Sequence, residues 1–148
     1  REPKEAIERA QAAIVQESQV VPSLPIPAFT VRTVVDGLYK GSEPVSIETI
    51  KNQPITAFAG IAKPDRFFSA LESLGLNLAN RMRFRDHHHY SSGDLDSLPG
   101  ETHVTTEKDA VRLKGVVSEN SRDFLYLRIS ASIPDFAQLL ELIRSRLG

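Results

Sequence analysis

From residue 55 onward the apolar positions alternate between short runs and helical stripes. Ile55 to Ile61 (Ile-Thr-Ala-Phe-Ala-Gly-Ile) is a nearly unbroken apolar run of strand length, the pattern of a strand covered on both faces. Pro64 opens a stripe, Phe67, Phe68, Leu71 and Leu74, at helical spacing, and Gly75 predicts its stop. Met82 and Phe84 alternate with Arg81, Arg83 and Arg85, predicting a strand over 79–85 with one wet or ligand-facing side. Ser91 and Asp94 have capping-box spacing before a short helix to about Leu98. Thr106 and Asp109 repeat that spacing after a short strand over 103–105, ahead of a helix through Lys114. A strand over 124–129 follows, then a terminal helix capped by Ser132 and Asp135, with Phe136, Leu139, Leu140, Ile143 and Leu147 as its apolar face.

Upstream the pattern is weaker. Pro3, Ile7 and Ala10 predict a brief helix, Ala12 to Val15 a short strand, and the prolines at 22, 25 and 27 an extended connector. Ala28 to Val35 alternates as a strand and is closed by Asp36-Gly37. Gly41 to Pro44 is a turn, and Val45 to Ile50 fits either a short helix or an edge strand. The chain thus divides into a junction segment over 1–35, a connector over 36–54 and an α/β domain over 55–148. Strand and helix alternate throughout that domain, which predicts an α/β fold with a mostly parallel sheet flanked by helices, a Rossmann-like three-layer arrangement with right-handed crossovers. In such a sheet every strand-to-helix turn emerges at one edge, where ligands bind. The turns at 60–64, 86–91 and 106–109 are of this kind.

Composition changes little. A length of 148 residues suits one ordinary domain, and a net charge of −1 gives no basic surface for nucleic acid. With no cysteine there are no disulfides, thiolate metal sites or cysteine nucleophiles. No apolar run reaches the roughly 18 to 20 residues of a membrane helix, so this segment is expected to be soluble. The chain starts Arg1-Glu2-Pro3, without methionine or a signal-peptide pattern, and reads as the downstream part of something longer.

The candidate chemistry centres on Arg85-Asp86-His87-His88-His89-Tyr90. Asp86 next to His87 is the pattern of a proton relay, the carboxylate fixing the imidazole tautomer while the other nitrogen faces a substrate hydroxyl. The plainer alternative is a solvated loop. Three consecutive histidines suggest a metal, yet only His87 and His89 would share a side, and no further ligand stands at the required spacing. A histidine-metal hydrolase is therefore disfavoured. Gly60 to Pro64 is a strand-turn-helix junction at which helix N–H groups and Lys63 would meet an anion, although the P-loop pattern is missing. Thr106-Glu107-Lys108-Asp109 reads most simply as a helix cap with solvated charges; the stripe of Arg81, Arg83 and Arg85 either meets phosphate or, more plainly, is the outer side of an edge strand.

Four segments in order resemble the C-terminal half of the tetraacyldisaccharide 4'-kinases, the lipid A kinases of Gram-negative bacteria. They are Arg1-Glu2-Pro3; Ala57-Phe58-Ala59-Gly60-Ile61 with Pro64, Arg66, Phe67 and Phe68; Asp86-His87-His88; and Thr106 to Val111. The resemblance implies the C-terminal domain of a P-loop kinase, with residues 1–35 joining it to an N-terminal half that holds the P-loop, the acidic metal-binding residues and the general-base aspartate. It implies ATP and Mg²⁺ as cofactors and a tetraacyl glucosamine disaccharide 1-phosphate as substrate. The parent protein would work at the cytoplasmic face of the inner membrane, and the segment would be inactive alone. By resemblance His87 assists the general base, and Arg1 and Glu2 lie near nucleotide and metal; the residues read independently as candidates are Asp86, paired with His87, and Gly60, Lys63, Thr106, Glu107, Lys108 and Asp109 at the substrate or structural edge of the cleft. Two departures stand out: Ala62-Lys63 replaces the usual Gly-Asn, and Arg112 stands where Lys is common, a charge-preserving change. The alternative is a free-standing α/β module that binds a phosphate or nucleotide without catalysis.

Overall fold

The apolar run at residue 55 folds as the central strand of the sheet. In a computed structural model, which describes residues 7, 9–17, 23–116 and 124–147, Ile55–Ala59 is a strand with all five residues buried. In chain order the strands are β1 (Ala13–Gln16), β2 (Ala28–Lys40), β3 (Glu43–Val45), β4 (Ile55–Ala59), β5 (Leu78–Arg83), β6 (Thr102–Thr106) and β7 (Phe124–Ser132). The helices are α1 (Pro64–Ser73), α2 (Ser92–Asp96), α3 (Glu107–Leu113) and α4 (Phe136–Leu147). Hydrogen-bonded neighbours follow the order β1-β2-β7-β6-β4-β5, with β3 antiparallel on β2. The β1–β2, β4–β5, β4–β6 and β6–β7 pairs are all parallel, so the fold is the expected α/β class with a mostly parallel sheet flanked by helices.

Two compact units divide the chain: residues 35–129, and residues 1–34 together with 130–148. β2 and β7 are long strands whose residues belong partly to each unit. The terminal helix α4 therefore groups with the N-terminal strands rather than with residues 55–129.

Within the larger unit β4 has a core on each face. Ile55, Ala57 and Ala59 pack with Leu38, Phe68, Leu71 and Val104 on one side. Phe58 packs with Tyr90, Leu95, Leu98 and Leu113 on the other. Burying side chains such as Ile55 and Phe58 stabilises the fold by roughly 1.5–3 kcal/mol each. Phe58 is also the hub of an aromatic cluster, meeting Phe84, Tyr90 and Phe124 edge-on at centroid distances of 6.3, 5.8 and 5.6 Å. Helix α1 buries Phe67, Phe68 and Leu71, and Gly75 ends its last turn at φ 78, a left-handed conformation that glycine adopts without penalty. On β5 the arginines point outward and pair with α1, Arg81 with Glu72 and Arg83 with Asp65 at 2.6 Å, the plainer of the two readings of that stripe.

Several local expectations shift. Strand β2 extends to Lys40, and the stretch after Gly41 is a short edge strand followed by a single 3-10 turn, Ile47–Thr49. The cap expected from Ser132 and Asp135 is replaced by a later start: Ser132 is the last residue of β7, and α4 begins at Phe136. In the smaller unit, β1 pairs β2 from Ala13↔Ala28 to Gln16↔Val31, and Arg32 pairs with Glu17 at 2.7 Å. Of α4's apolar face only Leu139 is buried; Phe136, Ile143 and Leu147 are exposed. The brief helix expected around Pro3 falls mainly outside the described residues, as do Arg1 and Glu2. Among the described residues no helix is long and apolar enough to cross a membrane.

Candidate functional site

Parallel pairing of β5, β4 and β6 brings their C-terminal ends side by side, and the residues that follow each strand meet there. Gly60 ends β4. Its N–H donates to Asp109 Oδ2 at 3.0 Å, and its carbonyl accepts from the His87 N–H at 3.1 Å and from Arg112 Nη1 at 2.9 Å. A β-carbon at Gly60 would stand 3.0 Å from the Tyr90 hydroxyl, 3.1 Å from His88 Cβ and 3.3 Å from the Arg85 carbonyl, so the absence of a side chain is what lets the 85–90 loop close over the strand end.

Asp109 is the buried centre of this cluster, 0% exposed. Thr106 caps α3 by accepting the Asp109 N–H at 3.1 Å, and its hydroxyl donates to Asp109 Oδ2 at 2.8 Å. Arg112, one turn further along the same helix, donates from Nη1 to Asp109 Oδ1 at 2.8 Å. The cap at Thr106 forms as the sequence predicts. Its charges, however, are not all solvated: the Asp109 carboxylate is sequestered and binds the end of β4, because that is where the parallel register of β6 beside β4 delivers it.

His87 sits on the rim, its side chain 81% exposed, with a left-handed backbone at φ 57. The expected Asp86–His87 relay is not hydrogen-bonded. Asp86 Oδ1 accepts the backbone N–H of His87 at 3.0 Å, and the closest carboxylate-to-imidazole approach is 4.0 Å, to Nε2. A carboxylate that caps its neighbour's amide shapes the loop instead of holding the ring. The ring's Nδ1 is instead 3.2 Å from Arg112 Nη2. His88 stacks on Phe84 at 4.8 Å, and its Nε2 lies 3.2 Å from Asp94 Oδ2; His89 is exposed. His88 thus packs against the loop, and His89 faces solvent.

Two groups nearby have displaced ionisation. The buried Tyr90 phenol is pushed well above the tyrosine range, first by burial and then by the Asp109 carboxylate it approaches. Asp94 is held below the usual carboxylate range, chiefly by hydrogen bonds from Ser91 and secondarily by His88.

The remaining candidates spread outward. Lys63 is exposed and makes no side-chain cap for α1. Because the Gly60 N–H is already given to Asp109 and Pro64 has none, these two positions of the turn offer no amide to a phosphate. Glu107 turns toward β7 and pairs with Arg128 at 3.0 Å, and Lys108 is exposed. Among the described residues no group of three or more His, Cys, Asp or Glu is arranged to hold a metal ion. An open apolar groove in the smaller unit, between Ala10–Ala12 and Leu139, Leu142 and Ile143, is lined by none of these residues. The residue of this cluster that was noted in sequence only as a charge-preserving change, and not as a site candidate, is Arg112; its signal was its opposite charge three residues after Asp109.

The family model described as tetraacyldisaccharide-1-P 4'-kinase matches residues 1–148. A tetraacyldisaccharide 4'-kinase from Polaromonas naphthalenivorans is 44% identical over 69 residues, covering 47% of this chain and 20% of the relative. One from Aeromonas hydrophila is 33% identical over 121 residues, covering 81% of this chain and 35% of the relative. The crystal structure of LpxK from Aquifex aeolicus in complex with ATP superposes with a TM-score of 0.74 at 25% identity, covering 98% of this chain and 45% of that one. The chain thus spans between a fifth and a half of the length of these relatives.

Proposed function

The chain belongs to the tetraacyldisaccharide-1-P 4'-kinase family, and from that membership we propose that it is the C-terminal portion of a lipid A 4'-kinase. The reaction is transfer of the γ-phosphoryl group of ATP, with Mg²⁺, to the 4'-hydroxyl of a tetraacyl glucosamine disaccharide 1-phosphate, at the cytoplasmic face of the Gram-negative inner membrane. The observation that carries this reading is the presentation of His87 at the C-terminal sheet edge, on a loop seated directly on the end of β4.

Phosphoryl transfer is mainly positioning and charge stabilisation, so a histidine that orients the base and a rigid wall that holds it are supporting parts of the machine. Gly60, Thr106 and Asp109 form that wall. Asp86 closes the loop, and Lys63, Glu107 and Lys108 lie around its rim. As the family resemblance implies, phosphate binding and metal binding fall to an N-terminal P-loop half. Mg²⁺, when bound there, supplies charge neutralisation on the transferring phosphoryl group. Arg1 and Glu2 would join the two halves near the nucleotide.

Two assays with ATP, Mg²⁺ and the tetraacyldisaccharide 1-phosphate test this. The 148-residue chain alone should show no turnover, whereas the intact translated product containing it should phosphorylate the 4'-position. Robust activity of the isolated chain would overturn the division of labour. In the intact product His87→Asn should lower kcat by about 10²-fold, at the small end of general acid–base contributions; unchanged kcat would remove the catalytic role.

A further inference from the structure

We infer that Arg112, and not Asp86, sets the tautomer and aim of His87, so that the imidazole presents an Nε2–H donor outward instead of a free proton acceptor. A guanidinium has five N–H donors and no acceptor. An imidazole nitrogen 3.2 Å from Arg112 Nη2 is therefore the one with the lone pair, and in the neutral ring the proton is left on Nε2.

The aim of Nη2 is itself fixed. Nη1 of the same planar group is held by Asp109 Oδ1 at 2.8 Å and by the Gly60 carbonyl at 2.9 Å, and Asp109 is held by the Gly60 amide and the Thr106 hydroxyl. A line of fixed groups thus runs from the ends of β4 and β6 to the exposed ring. Asp86 lies 4.0 Å from Nε2, and its carboxylate is engaged with the backbone amide. With Nδ1 occupied, His87 acts on a partner by donating from Nε2, to a carboxylate or a developing oxyanion. Arg112 is then a positioning residue. It performs its task through two nitrogens, one for the wall and one for the ring, so the exchange of Lys for Arg at this position is more than preservation of charge.

The catalytic consequence rests on the kinase reading; the tautomer does not. In the 148-residue chain, long-range ¹H–¹⁵N spectra at a pH where imidazoles are neutral should show His87 as Nε2–H with a hydrogen-bonded Nδ1. Arg112→Met should return Nδ1 to its water-exposed shift and raise the Nδ1–H fraction about fivefold, the preference one hydrogen bond confers. Asp86→Asn should change neither. If Arg112→Met leaves the chain unfolded, Arg112→Met/Asp109→Asn removes the buried charge as well and carries the same expectation. An Nδ1–H ring in the wild type, an unmoved Nδ1 in the folded Arg112 variant, or a shift on Asp86→Asn overturns the inference. In the intact product, Arg112→Met should lower kcat with little change in the KM for ATP, and should add almost nothing in the His87→Asn background. Full additivity would overturn the positioning role. A displaced Nδ1 with kcat unaffected in both single variants would uphold the tautomer assignment and refute the kinase role of His87.

Discussion

Helices α2 and α3 begin with the same four-residue signature, a hydroxyl residue followed three positions later by aspartate, and the two aspartates have opposite fates. At α2 the box closes on itself: Ser91 accepts the Asp94 N–H at 3.2 Å, and Asp94 takes the Ser91 N–H at 2.8 Å. The carboxylate stays at the surface with His88 beside it. At α3 the hydroxyl half of the box forms, but Asp109 turns away from the cap's backbone and takes an amide from a strand end 49 residues earlier. One cap is a local device worth about 1 kcal/mol. The other ties a helix to the sheet, and what separates them is whether the tertiary fold buries the carboxylate.

The sharpest way to break the contrast is Asp109→Ala. It leaves the Gly60 N–H and the Thr106 O–H buried without an acceptor and Arg112 without its counter-charge, and should cost about 3–5 kcal/mol in urea unfolding. A loss no greater than that of a surface cap would mean that Asp109 is merely a second Ser91-type box. Gly60→Ala comes next. The new methyl meets the Tyr90 hydroxyl, which a side-chain shift can clear, and the Arg85 carbonyl, which is backbone, so a loss of about 1–3 kcal/mol is expected. Wild-type stability in that variant would show that the 85–90 loop has room to move.

The smallest effect belongs to Asp94. Asp94→Ala should cost about 1 kcal/mol at neutral pH. Because its folded-state pKa lies below the unfolded value, Asp94's contribution is present above the ordinary carboxylate range and is lost as pH falls through the lowered folded value. The difference in stability between wild type and Asp94→Ala should therefore shrink in acid. A difference independent of pH would sink the assignment.

The same contrast marks the limit of what could be read along the chain. Features set by neighbours in sequence were legible: the buried run of β4, the stripe of α1, the box at Ser91 and the cap at Thr106. Features set by register were not. The approach of Asp109 to Gly60 depends on β6 lying beside β4, and that of Arg112 to His87 on a loop reversal 25 residues away. Asp86-His87 misled for a related reason. Adjacent residues look like a relay in sequence, but the Asp86 carboxylate folds back onto the His87 backbone amide, while the ring, carried on a left-handed residue, lies beside Arg112 of α3. The exposed side of α4 is a further case, since periodicity predicts a stripe without saying what covers it.

That left-handed turn also decides how the histidine can be interrogated by mutagenesis. At φ 57 a side chain with a β-carbon pays a backbone penalty that asparagine bears more readily than alanine or a β-branched residue. Asparagine also keeps an acceptor near the place of Nδ1 while lacking any group at the reach of Nε2. His87→Asn therefore isolates the lost donor, whereas alanine, valine or threonine at this position would mix the chemistry of the ring with the conformation of the loop that carries it.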